Sequence, residues 1–481
     1  MDQFQNKSWI SWISGHLPLL LILLLAAVLR VHDLDGTSLW YDEAVSWDQS
    51  RGSFANLLSA VATDNYPPLH NIVLWITMPV LGDSETALRL PSALLGVAAV
   101  WLTYLVGRRL GGREVGLLAA ALLALSPFHI WYSTEARMYA LLATCGLGFL
   151  LCVVEAFRRP SLSWLIGVAV MGALFLYSHI YALLGFAAVG LTAAACPVAE
   201  LARGKSLRSS APFRICLAMG VSCLAFLPWL VILLERARSV AETGFWIAYP
   251  NWPFLKHTAF SVSGSLVLFG LLVALALFGV LRIGKPVNGQ RNAKCSVLLV
   301  CLAYTAGPPV LAYLYSVTVQ PILFDRYLIA AWPGLLLLAS LGAHRLMPVV
   351  APLALTGLAI YLSFPELKFT LTEKVRPEWR LIAQDYEEKR ASQDGLVLYK
   401  GFAAPALTYY LREPGAFKTA EDVTELQGLG EHERWLLVVH SNEAETAAAI
   451  EAFQAEGSQP ASRRFGWGAS GLSLLEKPLS N

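Results

Sequence analysis

Long apolar runs dominate this sequence and leave one class of fold open. A membrane-spanning helix needs about 20 mostly apolar residues. About eleven stretches qualify: 14–31, 88–106, 115–132, 138–156, 161–178, 180–198, 213–234, 262–281, 295–317, 327–343 and 347–363. Charged residues make up only 15% of the 481, against about 25% in an average soluble domain. Hydrophobic residues reach 56%, and the mean hydropathy is +0.54. The expected fold is therefore a polytopic α-helical membrane protein. A net charge of +2 gives no nucleic-acid footprint.

Cys145, Cys152, Cys196, Cys216, Cys223, Cys295 and Cys301 all lie in apolar stretches with no CxxC pair. They read as small buried hydrophobes, and neither a disulfide framework nor a zinc site is expected. No small-residue cleavage site follows the first apolar run, which therefore reads as a retained anchor.

The basic residues give the sidedness, because loops rich in Lys and Arg stay in the cytoplasm. Residues 67–81 are apolar but short and begin at Pro67-Pro68. If they do not cross, the basic loops alternate cleanly with acidic or neutral ones. One set carries Arg108, Arg109 and Arg113; Arg158 and Arg159; Arg203, Lys205, Arg208 and Arg214; and Arg282, Lys285, Arg291 and Lys294. The other set includes Asp35, Asp42, Glu43, Asp48 and Asp64. The expectation is a cytoplasmic N-terminus and an outer C-terminus.

The membrane part is expected to occupy residues 1–363, including a first outer loop of about 32–87. In that loop Phe54, Leu57, Leu58 and Val61 recur at helical spacing, predicting an amphipathic surface helix. Residues 364–481 read as a small soluble α/β domain outside the membrane. GLVLYKGF (395–402) and RWLLVVHS (434–441) read as buried strands, and 376–390, 403–412 and 443–455 as helices. It carries no nucleophile elbow, phosphate loop or metal spacing. Regulating the reaction, positioning an acceptor and simply stabilising the chain all remain open roles for it.

The candidate chemistry gathers in five places on the outer side. SLWYDEAVSW (38–47) puts Asp42 and Glu43 just after the first span. Each could act as a general base or hold a divalent cation, or be no more than a solvated loop acid. TDNYPPLHN (63–71) brings Tyr66 and, near the start of a new helix, His70, which could donate a hydrogen bond to a phosphate or bind a metal. SPFHIWYSTEARMYAL (126–141) breaks at Ser126-Pro127 and offers His129, Glu135, Arg137 and Tyr139. There Ser133 or Thr134 is expected to cap the next helix and turn its positive end toward an anion. Arg137 suits a phosphate because its planar fork makes paired, charge-assisted bonds. YSHIYALL (177–184) places His179 at an outer turn, and in LFDRYLIAAWP (323–333) Asp325 and Arg326 are expected to open a helix. Ordinary structural roles exist for each, but ionisable groups at membrane depth are costly and usually functional.

These pieces, together with ALRLPSALLG (87–96), span roughly residues 30–345. In order and spacing they resemble the GT-C glycosyltransferases, specifically bacterial members of glycosyltransferase family 39. That group is related to the protein O-mannosyltransferases and the aminoarabinose transferase of lipid A. The resemblance implies a polyprenyl-phosphate sugar donor and inversion at the anomeric centre. It implies Asp42 as catalytic base with Glu43 beside it, and Arg137 and Arg326 facing the donor phosphate. The substrate-binding set that follows is Tyr66, His70, His129, Glu135, Arg137, Tyr139, His179 and Arg326. A metal, if one is used, would fall to Asp42, Glu43 and His70; no cofactor is otherwise implied. Tyr66 stands where the aminoarabinose transferases carry a lysine, which argues against aminoarabinose transfer.

The implied reaction is a single displacement by an acceptor hydroxyl on a glycan, lipid or protein, at the outer face of a bacterial inner membrane. Two other classes compete. A lipid or sugar transporter would place polar residues at mid-membrane and often carry internal repeats, and no repeat is evident. A lipid-linked glycan ligase or polymerase would use the same face.

Overall fold

The structure is a computed structural model. It describes residues 2–201, 210–243, 247–282, 291–373, 376–413, 417–427, 429–430, 432–439, 443–453, 461–465 and 471–477. Of the expected features, Arg203, Lys205, Arg208 and Lys285, and the ends of the last strand and helix, lie outside these residues. The chain forms two compact units. One comprises Met1–His32, Gly52–Val80 and Arg89–Thr372; the other comprises Asp33–Arg51, Leu81–Leu88 and Glu373–Asn481.

The first unit is helical and is an integral membrane bundle. Among the described residues, five helices are long and apolar enough to cross a bilayer: Glu85–Gly111, Tyr139–Arg158, Ala211–Arg238, Ser296–Thr318 and Val350–Thr372. Two further spans arise if each of two bent pairs counts as one. Arg113–Ala124 and Pro127–Ser133 meet at 64°, and Trp252–Ser263 and Leu266–Leu281 at 81°. Shorter apolar helices cover Gly15–Val31, Leu69–Leu81, Leu162–Ser178 and Ala182–Ala195. Every expected stretch falls mainly on helix, but two are broken by a bend, and a third, 327–343, begins in a 3-10 helix and becomes α-helical at Trp332. The first break follows the Ser126-Pro127 punctuation. The second is at Gly264, whose φ of 75° is left-handed and stops the helix. Leu69–Leu81 has 13 residues, so it rises only about 20 Å and falls short of the apolar core.

Tyr139–Arg158 is the innermost of these helices, buried along nearly its whole length. Close helix contact elsewhere depends on glycine. Gly279 and Gly342 face each other across helices Leu266–Leu281 and Trp332–Leu346. A Cβ on Gly342 would lie 1.9 Å from the Leu275 carbonyl oxygen. The small-residue seam replaces the hydrophobic drive that lipid removes. The predicted surface helix is present as Phe54–Ala62, capped by Ser53 and burying Leu57 and Val61.

The second unit holds a five-stranded sheet in the order β2-β1-β3-β5-β4. The strands are β1 (Leu396–Tyr399), β2 (Phe417–Ala420), β3 (Trp435–Val439), β4 (Ala461–Phe465) and β5 (Leu472–Glu476). β1 runs parallel to β2 and β3, while β5 is antiparallel to β3 and β4. Alternate residues serve two cores. Leu396, Leu398, Trp435 and Leu437 pack with Trp379, Ile382, Tyr386 and Leu407 on one face. Val397, Tyr399, Leu436 and Val438 pack with Leu426, Ala449 and Phe453 on the other. A sheet covered on both faces needs unbroken apolar strands, which is why β1 and β3 read as continuous runs.

Segments 33–51 and 81–88 of the first loop pack into this same unit. Ala44 joins the first of the two cores. The Arg380 guanidinium donates to Glu85 and to the Asp35 carbonyl. Tyr410 donates to Glu85 and accepts from the Leu39 N–H, and the Trp47 indole donates to Asp83.

Candidate active site

The two adjacent carboxylates of the first loop have different surroundings. Both lie in the first turn of helix Tyr41–Gln49. Glu43 is fully buried, and its Oε2 accepts from the Trp40 N–H and from Arg376 Nη1, each at 3.2 Å. The first bond caps the helix and the second is a buried ion pair. Asp42 is only half-buried. Asp42 is therefore the carboxylate with access to solvent, while Glu43 holds the loop to Arg376.

Within the membrane unit, five of the expected residues come together. The Tyr66 and Tyr327 hydroxyls are 2.8 Å apart. The His179 ring lies 5.1 Å from the Tyr66 ring, 4.8 Å from that of Tyr327 and 6.4 Å from that of Tyr139. Over these rings sit two guanidinium groups. Arg137 lies 5.3 Å from Tyr66, and Arg326 5.8 Å from Tyr139 and 5.6 Å from Tyr327. Arg137 is 5% exposed, so its charge is largely withdrawn from water. Burial first, then Tyr327 and Tyr139, push the Tyr66 hydroxyl well above its ordinary range, so it stays a neutral donor.

Local chain geometry explains this convergence. His179 ends helix Leu162–Ser178 in an extended conformation, and its Nδ1 accepts the Tyr181 N–H at 3.0 Å. Its Nε2 must then carry the proton, and that buried atom has no partner among the described residues. Asp325 anchors the far side by accepting from the Ser261 hydroxyl and the Arg326 N–H. Arg326 does not open an α-helix as expected. Asp325–Ala330 is a 3-10 helix, and the α-helix begins at Trp332.

His129 lies in a second cluster that the sequence did not disclose. Its Nδ1 accepts from Arg30 Nη2 at 2.9 Å. Arg30 is fully buried and also donates to the Ala26, Leu123 and Ala124 carbonyls. His129 is thus held as the Nε2–H form, again with a buried Nε2 lacking a partner among the described residues. Ser126 fixes the helix start by accepting from the His129 N–H and the Trp332 indole. Ser133 and Thr134 do not cap the next helix as expected. Ser133 donates to the His129 carbonyl at the end of the short helix, Thr134 is that helix's C-cap, and Met138 precedes Tyr139. His70 and Glu135 are buried nearby in sequence, in the first turn of Leu69–Leu81 and in the turn before Tyr139. Among the described residues no group of three or more His, Cys, Asp or Glu stands close enough to hold a metal ion.

A buried guanidinium group and a half-buried one, bedded on tyrosines with a neutral imidazole donor beside them, can bind a phosphate and stabilise charge growing on it. Over its full length the chain is similar in structure to "ArnT from Cupriavidus metallidurans" in the apo state. The TM-score is 0.63 at 14% identity, covering 98% of each chain. The chain has the GT-C glycosyltransferase fold. ArnT bound to undecaprenyl phosphate matches with a TM-score of 0.58 at 14% identity, over 97% of this chain and 98% of that one. The archaeal oligosaccharyltransferase AglB from Archaeoglobus fulgidus, in complex with an inhibitory peptide and a dolichol-phosphate, matches with a TM-score of 0.54 at 11% identity. That match covers 93% of this chain and 72% of AglB. In sequence, residues 65–232 match the family described as dolichyl-phosphate-mannose-protein mannosyltransferase. No curated protein matches the chain in sequence. The matched segment contains all the expected substrate-binding residues except Arg326.

Proposed function

We propose that the chain is an inverting glycosyltransferase. It moves a sugar from a polyprenyl-phosphate donor to a hydroxyl on a glycan, lipid or protein acceptor. The observation that carries this reading is the pair Arg137 and Arg326 over the Tyr66, Tyr139 and Tyr327 rings. In this reading the two guanidinium groups and the His179 Nε2–H hold the donor phosphate. As the anomeric C–O bond breaks, the electron pair stays on the phosphate oxygen, and the arginines stabilise that charge. Asp42 takes the proton of the attacking hydroxyl, and the new bond forms on the opposite face of the sugar. Glu43 holds the Asp42 turn, while His70, His129 and Glu135 shape the surroundings. Asp42 acts directly or through a divalent cation, and a chelator titration separates the two.

The bundle is proposed to lie in a bacterial inner membrane with this site and the C-terminal unit outside. The alternation of basic loops supports that orientation. The decisive experiment supplies purified polyprenyl-phosphate sugar and a set of hydroxyl acceptors to the purified protein. A new glycosidic bond with inverted configuration is expected. Movement of the donor across vesicles without bond formation would instead support a transporter. Activity restricted to pyrophosphate-linked oligosaccharide would support a ligase.

A further inference from the structure

The opposite end of the bundle carries a second polar feature that the proposed reaction does not use. Arg108, Arg109, Arg158, Arg159 and Glu155 line a cavity of about 310 Å³. It lies where helices Glu85–Gly111 and Tyr139–Arg158 both end. Arg109 pairs with the buried Glu155, and Arg158 Nη1 donates to the Arg109 carbonyl at 3.2 Å. Four cations and one anion leave the cavity strongly positive. Arg108, Arg158 and Arg159 have no carboxylate partner among the described residues and reach solvent. Helix C-terminal capping accounts for some of this charge, and retention of basic loops in the cytoplasm for more. Neither accounts for four arginines lining one open cavity.

Its depth in the membrane is set by one helix. Tyr139, in the candidate active site, begins the 20-residue helix that ends at Arg158, about 30 Å away. That is the thickness of the apolar core of a bilayer, so the cavity lies at headgroup level on the far face. Soon after Arg159, helix Leu162–Ser178 presents Leu162, Ile166 and Val170 outward, 73%, 53% and 51% exposed. These residues recur at helical spacing and form an apolar stripe leading away from the cavity toward mid-membrane.

We propose that this cavity is a binding site for the phosphodiester headgroup of an anionic membrane phospholipid, its acyl chains lying along the Leu162–Ile166–Val170 stripe. Arginine forks match phosphate oxygens two at a time, and the cavity has room for a headgroup but not for a whole lipid.

The test is lipid retention by the purified full-length protein, read by native mass spectrometry from micelles containing equal amounts of phosphatidylglycerol and phosphatidylcholine. Wild type should keep phosphatidylglycerol selectively. The double variant Arg158→Gln/Arg159→Gln should bind it on the order of tenfold more weakly. Arg282→Gln, a basic position outside the cavity, should match wild type. Equal loss in Arg282→Gln would mean general surface charge and overturn the proposal. Displacement of the lipid by millimolar inorganic phosphate alone would also overturn it, as a free-anion site. If the double variant does not fold, a photoreactive phosphatidylglycerol on wild type decides. Crosslinks to the ends of helices Glu85–Gly111 and Tyr139–Arg158 support the site, and crosslinks spread evenly over the bundle refute it.

Discussion

Neutralising Glu43 should destabilise its surroundings, whereas neutralising Asp42 should stop the chemistry. Glu43→Gln keeps the shape and still offers an oxygen to the Trp40 N–H. It leaves the Arg376 guanidinium, 5% exposed, beside an uncharged amide. Removing one partner of a buried ion pair costs about 3–5 kcal/mol. The retained capping bond places the expected cost near about 3 kcal/mol, a drop on the order of 10 °C in the melting of the second unit. Asp42 is half-buried in the same turn, so Asp42→Asn should change stability by only about 0.5 kcal/mol. Its turnover should fall about 10² to 10⁴-fold if it is the base. The assay pairs thermal melting in detergent with sugar transfer for both variants and for Glu43→Gln/Arg376→Gln. The double variant should recover part of the loss, because both members of the buried pair are then neutral. A Glu43→Gln protein that melts like wild type yet transfers nothing would refute this division of labour and make Glu43 the reacting group.

Arg137→Lys keeps the charge but loses the fork over Tyr66, so transfer should fall by roughly tenfold or more with the fold intact by circular dichroism; full activity in Arg137→Ala would remove it from the donor site. Asp394 is held below the usual carboxylate range because, against the cost of its burial, the Ala391 N–H, the Trp435 indole and Arg434 favour the ionised form. Its contribution to stability should be complete above the ordinary carboxylate pKa near about 4 and disappear as pH falls through the lower folded value. Asp394→Asn should flatten that acid limb in a melting-against-pH series. Gly342→Leu cannot fit beside the Leu275 carbonyl without separating two helices, and should cost at least about 1–3 kcal/mol, read as loss of folded protein in detergent.

The helical bundle was legible because lipid imposes one dominant signal, a run of apolar residues long enough to cross it. The Ser126-Pro127 break was visible for a similar reason, since proline punctuates a helix locally. The Gly264 break was not, because a glycine inside an apolar run is common and its left-handed backbone is known only from the structure. β1 and β3 were found as continuous apolar strands. β2 escaped because it is a four-residue edge strand with mixed exposure, and Phe-Lys-Thr-Ala carries no period. At the site, Tyr66, Tyr139, His179, Arg137 and Arg326 were each singled out, and four of them lie in short aromatic motifs. Arg30 carries no motif of its own at the end of the first span, yet it is fully buried against His129. Arg376 and Arg380 had no local signature at all, because their partners lie in the first loop.

The ion pair of Glu43 and Arg376 joins residues 333 positions apart in the chain. A ribosome adding about 5–20 residues per second needs tens of seconds to cover that distance. Throughout that interval the loop bearing Asp42 is made but lacks the partners that bury Glu43. The loop bearing Asp42 is thereby set by a part of the chain synthesised long after it, and a polypeptide that has not yet reached Arg376 carries its acid pair without the frame that tells the two carboxylates apart.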